Sequence, residues 1–110
     1  MEKMTRRWRQ KLAGTPQEQA LTIVREEVTA IDHQLVTLLE QRFSAVATIG
    51  ALKVDRSQPV RDLDRETAVL RDVAAQLEKP ALAPYCQAIF ETIMQESRRL
   101  QENSREEGVN

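Results

Sequence analysis

Residues 16–53 read PQEQALTIVREEVTAIDHQLVTLLEQRFSAVATIGALK, and this stretch decides the fold. Thr15 can cap its start, Pro16 suits the first helical position, and Glu18 completes a capping box. After Pro16, neither proline nor glycine occurs before Gly50. Apolar residues recur at Leu21, Val24, Val28, Ile31, Leu35, Leu38, Val46 and Ile49. They alternate steps of three and four with one gap, which is a helical stripe of near-heptad spacing. A helix from Pro16 to about Lys53 is roughly 57 Å long at the α-helical rise.

Beyond this helix, residues 55–59 (DRSQP) read as a turn. A second helix is expected from about Asp62 to Leu77, with Leu63, Leu70, Val73 and Leu77 on its apolar side. Glu78-Lys79-Pro80 breaks it. A third is expected from Pro84 to about Glu102, carrying Ile89, Phe90, Ile93, Met94 and Leu100. These two helices are roughly 24 Å and 29 Å long, so end to end they just match the first. One chain thus covers one side of its long helix and leaves another apolar side open, a liability for a soluble monomer. The expected architecture is all-α: three helices, one very long and N-terminal, in an intertwined helical homodimer. Residues 15–102 form the helical domain. Residues 1–14, with Lys3, Arg6, Arg7, Arg9 and Lys11, are expected to be a mobile basic extension, and 103–110 a polar tail.

The chain has 110 residues, with 16 Lys+Arg against 17 Asp+Glu and a formal net charge of −1. That balance argues against nucleic acid as partner. No run of eighteen apolar residues occurs, which argues against a membrane span. One cysteine (Cys86) and one histidine (His33) argue against a disulfide framework, a zinc site or a Cys–His catalytic pair. Three glycines leave no phosphate-cradling loop. No metal and no cofactor is expected, and the expected location is cytoplasmic. His33 is placed on the solvent side of the first helix and Cys86 partly inside.

The informative residues are those that interrupt the stripes. Val28, Leu35 and Ile49 are spaced in sevens, and the missing member of their row is Arg42. Asp32, Leu39 and Val46 are flanked, again seven away, by Arg25 and Lys53. Glu66 stands between Leu63 and Leu70, while Phe90 and Met94 continue to Ser97 and Gln101. A single Arg or Lys on a stripe can snorkel, and a single Ser can bond its own backbone. Three helices interrupted together point instead to a polar cavity, because buried charge is costly unless paired or liganded. Three cations against one clear anion predict a small dianion as guest. Arg25 lies roughly 25 Å from Arg42 along the helix axis, so it can complete the cavity only from the partner of an antiparallel dimer. Two-fold symmetry then gives two shared sites.

These residues resemble the all-helical chorismate mutases. The resemblance covers roughly Leu21 to Leu100 and rests on REEVTAIDHQLVTLLEQRFSAVATIGALK, PVRDLDRE and FETIMQESRRLQ. It implies conversion of chorismate to prephenate by a pericyclic Claisen rearrangement, in phenylalanine and tyrosine biosynthesis, without a covalent intermediate. It further implies that Arg42 and the partner chain's Arg25 bind carboxylates, a task suited to planar guanidinium groups. Lys53 matches a contact to a carboxylate and the breaking ether oxygen, and Gln101 the second donor to that oxygen. Glu66 matches the acceptor for the ring hydroxyl, Ser97 a ring-carboxylate contact, and Arg65 a supporting arginine. Asp62 matches a position that acts through its backbone amide. Isochorismate–pyruvate lyase, which shares this fold, is the nearest alternative. An amino-chorismate variant and a non-catalytic helical dimerisation module are others. The N-terminal extension leaves room for a regulatory partner enzyme.

Overall fold

A computed structural model describes residues 5–52 and 61–107 of the chain. Every regular element among them is helical: α1 (Arg6–Lys11), α2 (Gln17–Leu52), α3 (Leu63–Gln76) and α4 (Ala83–Glu107), with a 3-10 turn at Pro80–Leu82. The all-α expectation holds, and the very long helix is present. Lys53 and the turn expected at 55–59 lie outside the described residues.

Two elements differ from the sequence reading. The basic extension contains α1, where three helices and a mobile end were expected. Thr5 caps it by accepting the Trp8 N–H at 3.4 Å. The Trp8 ring carries Lys11 Nζ at 4.8 Å and the Arg7 guanidinium at 5.9 Å from its centroid. Cation–π contacts of this kind are worth about 0.5–1 kcal/mol at exposed sites. They give a stretch that looks merely charged a local reason to order. Gly14 then adopts φ 79°, a left-handed conformation that ends the segment before Pro16. The second difference is α4, which runs five residues beyond the expected Glu102. Arg105, Glu106 and Glu107 are good helix formers, and no glycine intervenes before Gly108.

α2 tolerates its threonines because their hydroxyls are satisfied within the helix. Thr22, Thr29, Thr37 and Thr48 each donate to the carbonyl four residues earlier. α3 begins where Asp62 accepts the Arg65 N–H at 3.0 Å, and Asp64 and Glu66 in the first turn complement the helix dipole. It ends at Leu77, whose N–H bonds the Ala74 carbonyl, before Pro80 opens the 3-10 turn.

The chain forms two compact units, Met1–Leu39 and Glu40–Asn110. In the first, Leu12 is buried and Lys11 Nζ lies 4.0 Å from Glu27 Oε2. In the second, Val46 and Met94 are buried, and Gln87 Nε2 donates to the Leu70 carbonyl at 3.4 Å, joining α4 to α3. Among the described residues, Leu12, Val46 and Met94 are the apolar side chains buried by the chain itself. Leu21, Val28, Ile31, Leu35 and Leu38 remain between 46% and 58% exposed. The stripe of α2 is therefore present, and most of it between 21 and 38 is uncovered. His33 is exposed and Cys86 half-buried, as expected.

α2 also includes an 18-residue stretch of mean hydropathy 1.2, long and apolar enough by length and composition to cross a membrane. An unbroken apolar run was too strict a criterion for this helix. Charges at the centre of a membrane helix cost roughly 2.5–3.5 kcal/mol each. Glu40 and Arg42 stand within its C-terminal half, and Arg42 is bonded into a polar cavity of the second unit.

At Gly50 α2 approaches α4 closely. A Cβ at this position would lie 3.2 Å from the Gln101 carbonyl oxygen and 3.4 Å from its Cα. Both are helix backbone, so the space can open only if α4 shifts. Gly50→Val is expected to destabilise the fold by about 1–3 kcal/mol, the usual cost of overpacking. A thermal melt followed by circular dichroism checks this, since the midpoint falls by several degrees in such a case.

Candidate active site

The second unit holds a cavity of about 300 Å³ where α2, α3 and α4 meet. α2 contributes Arg42, Ala45, Val46 and Ile49. α3 and its cap contribute Asp62, Arg65, Glu66 and Val69, and α4 contributes Met94, Ser97, Arg98 and Gln101. The helical period accounts for this set. Arg42, Val46 and Ile49 share one face of α2, as do Asp62, Arg65, Glu66 and Val69 on α3 and Met94, Ser97, Arg98 and Gln101 on α4. Val46 and Met94 are the buried apolar members of the lining.

Arg42 is anchored to α4. Its Nη1 donates to Ser97 Oγ at 2.7 Å. Ser97 is buried, and its hydroxyl donates in turn to the Ile93 carbonyl at 2.6 Å. The serine thus spends both functions fixing the arginine to α4. Burial lowers the Arg42 pKa, and the nearby positive charge of Arg65 lowers it further. A guanidinium still stays protonated at neutral pH. The two effects together describe a desolvated cation beside a like charge, an environment that an anionic guest would relieve.

Glu66 is paired. Arg98 Nη1 donates to its Oε2 at 2.5 Å, and Arg61 Nε lies 3.9 Å from its Oε1. A carboxylate offers about four acceptor sites, so Glu66 can still receive a hydroxyl. Asp62 uses its carboxylate to cap α3. Among the described lining residues, three guanidinium groups face two carboxylates. The cavity carries an excess of positive charge.

Of the eight residues singled out by sequence, Arg42, Asp62, Arg65, Glu66, Ser97 and Gln101 line this one cavity. Lys53 lies outside the described residues. Arg25 belongs to the first unit and is exposed, its carbonyl accepting the Thr29 hydroxyl. Arg98 was missed. Its signal was available, because a step of four from Met94 reaches it as directly as a step of three reaches Ser97. Reading only one of the two helical steps hid it.

Residues 24–102 match the family described as chorismate mutase type II. Similar proteins include the bifunctional chorismate mutase/prephenate dehydratase of Buchnera aphidicola subsp. Acyrthosiphon pisum (strain APS). It is 32% identical over 83 residues, which are 74% of this chain and 22% of that protein. The protein of the same description from Escherichia coli (strain K12) is 32% identical over 81 residues, 73% of this chain and 21% of that protein. Another from Enterobacter agglomerans is 28% identical over 78 residues, 70% of this chain and 20% of that protein. The chain therefore spans about a fifth of the length of the curated relatives it matches. No solved structure matches the chain at a significant level.

Proposed function

The chain belongs to the chorismate mutase type II family, and on that premise we propose that it converts chorismate to prephenate. The observation that carries the proposal is the cation-rich cavity in which Arg42, fixed by Ser97 and crowded by Arg65, shares the lining with Gln101 and Glu66. The reaction is an intramolecular rearrangement. The ether C–O bond breaks as a C–C bond forms, electrons move round a six-membered ring, and no proton or covalent intermediate is required. Such chemistry asks for a compact substrate conformation and for donors at the ether oxygen, which gains negative charge in the transition state.

In this reading Arg42 binds one substrate carboxylate bidentately, and Arg25 of a second copy binds another. Gln101 and Lys53 donate to the ether oxygen. Glu66 accepts the ring hydroxyl, the Asp62 backbone amide assists there, and Arg65 supplies supporting positive charge. Ser97 reaches the ring carboxylate only if its hydroxyl turns away from Ile93. No cofactor takes part. The homodimer is supported by the uncovered stripe of α2, since an exposed apolar surface of that length calls for a partner helix. It is also the simplest way for Arg25 to enter a site that its own chain's cavity lining does not include. The domain proper is residues 15–102. A cytoplasmic location follows from the biosynthetic role, and α1 offers a surface to a regulatory partner enzyme.

Incubation with chorismate and, separately, with isochorismate tests the assignment. Prephenate from chorismate is the expected result, whereas pyruvate with salicylate from isochorismate moves the assignment to the lyase. The pH dependence gives a second check. Gln101 needs no proton to donate, and the arginines stay charged, so the rate is expected to hold through neutral pH. A rate that collapses above about pH 6, as a donor carboxylic acid would make it, contradicts the role given to Gln101.

A further inference from the structure

We infer that Arg98 is a positioning residue for Glu66, and that it sets the site's preference for a ring bearing a neutral hydroxyl over one bearing an ammonium group. The inference rests on the reading of this cavity as a chorismate-type rearrangement site. Its own observations are independent of that reading. Arg98 and Glu66 are joined at 2.5 Å, with side chains 25% and 18% exposed. The pair is largely withdrawn from water, where charge-assisted hydrogen bonds are stronger than at a surface. Both residues line the 300 Å³ cavity, and both also line a second cavity of about 400 Å³ beside it. The ion pair, with Met94, is therefore shared by the two.

The electrostatics at that pair decide what Glu66 can accept. A lone carboxylate there would attract an ammonium more strongly than a hydroxyl. Here Arg98 occupies Oε2, and Arg61 stands 3.9 Å from Oε1. Two guanidinium groups face one carboxylate, so the local field opposes a further cation while leaving lone pairs for a neutral O–H. The pair also fixes the carboxylate's position, because the Arg98 fork approaches from α4 while Glu66 is rooted in α3.

The test compares wild type, Arg98→Met, Arg98→Gln and Arg98→Lys on chorismate and on 4-amino-4-deoxychorismate. Arg98→Met is expected to raise the ratio of kcat/KM for the amine over the hydroxyl by about tenfold or more, the scale of one charge-assisted hydrogen bond. Arg98→Gln should behave alike and carries the test if the Met variant fails to fold. Arg98→Lys, which keeps the charge but loses the fork, should return most of the wild-type ratio. Equal losses on both substrates, or an unchanged ratio, mark a purely structural salt bridge and overturn the inference while the parent reading stands. Wild-type protein inert toward chorismate overturns the parent reading and this inference with it.

Discussion

Chains carrying Arg25→Ala are expected to convert no chorismate and to keep their helix content. Arg25 is exposed and lies in the first unit, and surface truncations away from buried contacts usually change stability by no more than about 0.5 kcal/mol. In the proposed dimer its loss removes one carboxylate contact from the partner's site. Mixing supplies the sharper result. In a dimer of one Arg25→Ala chain and one Lys53→Ala chain, one site collects both mutations and the other collects neither. Random exchange in an equal mixture leaves about a quarter of all sites intact, as two-fold symmetry requires. Recovery of about that fraction of wild-type activity, measured after subunit exchange, supports the shared site. If no mixture recovers activity, Arg25 does not act across an interface.

Gln101→Ala should lower kcat by about 10²–10³ with a smaller change in KM, as removal of an oxyanion donor does elsewhere. The size follows from timing. The ether oxygen is a weak acceptor in the ground state and a strong one as its bond breaks, so the lost interaction belongs to the transition state. Gln101→Glu separates donor from shape. A glutamate must be protonated to donate, so its rate should climb as pH falls, opposite in trend to the level profile of wild type. Steady-state kinetics of both variants across pH reads the two effects. The backbone of Gln101 also lies close to Gly50, which fixes where its side chain leaves α4.

The sequence and the structure agree most closely where periodicity carried the information. α2 and α3 begin and end within a residue of the expected limits, because Pro16, Asp62 and Pro80 are strong local signals. The polar residues that break the stripes converge because they share the helical faces that also build the core. Four of them, Arg42, Glu66, Ser97 and Gln101, meet in one cavity for that reason, and Asp62 and Arg65, known from the resemblance alone, join them there. α1 was not legible, since its order comes from a capped turn and from cations lying over Trp8, which a tally of basic residues does not weigh. Arg98 was not legible as a partner of Glu66 because their contact joins two helices, and spacing within one helix is silent on that. The dual duty of Ser97 was hidden likewise. An acceptor for Arg42 and a donor to Ile93 are facts of packing.

Whether the cavity among α2, α3 and α4 rearranges chorismate is read by quantitative chromatography of chorismate and prephenate over time, with wild-type protein and Gln101→Ala at equal concentration. Stoichiometric prephenate from wild type and a rate lower by about 10²–10³ from the variant are expected. Prephenate formed at the same rate by both proteins, or by neither, would contradict this role of the cavity.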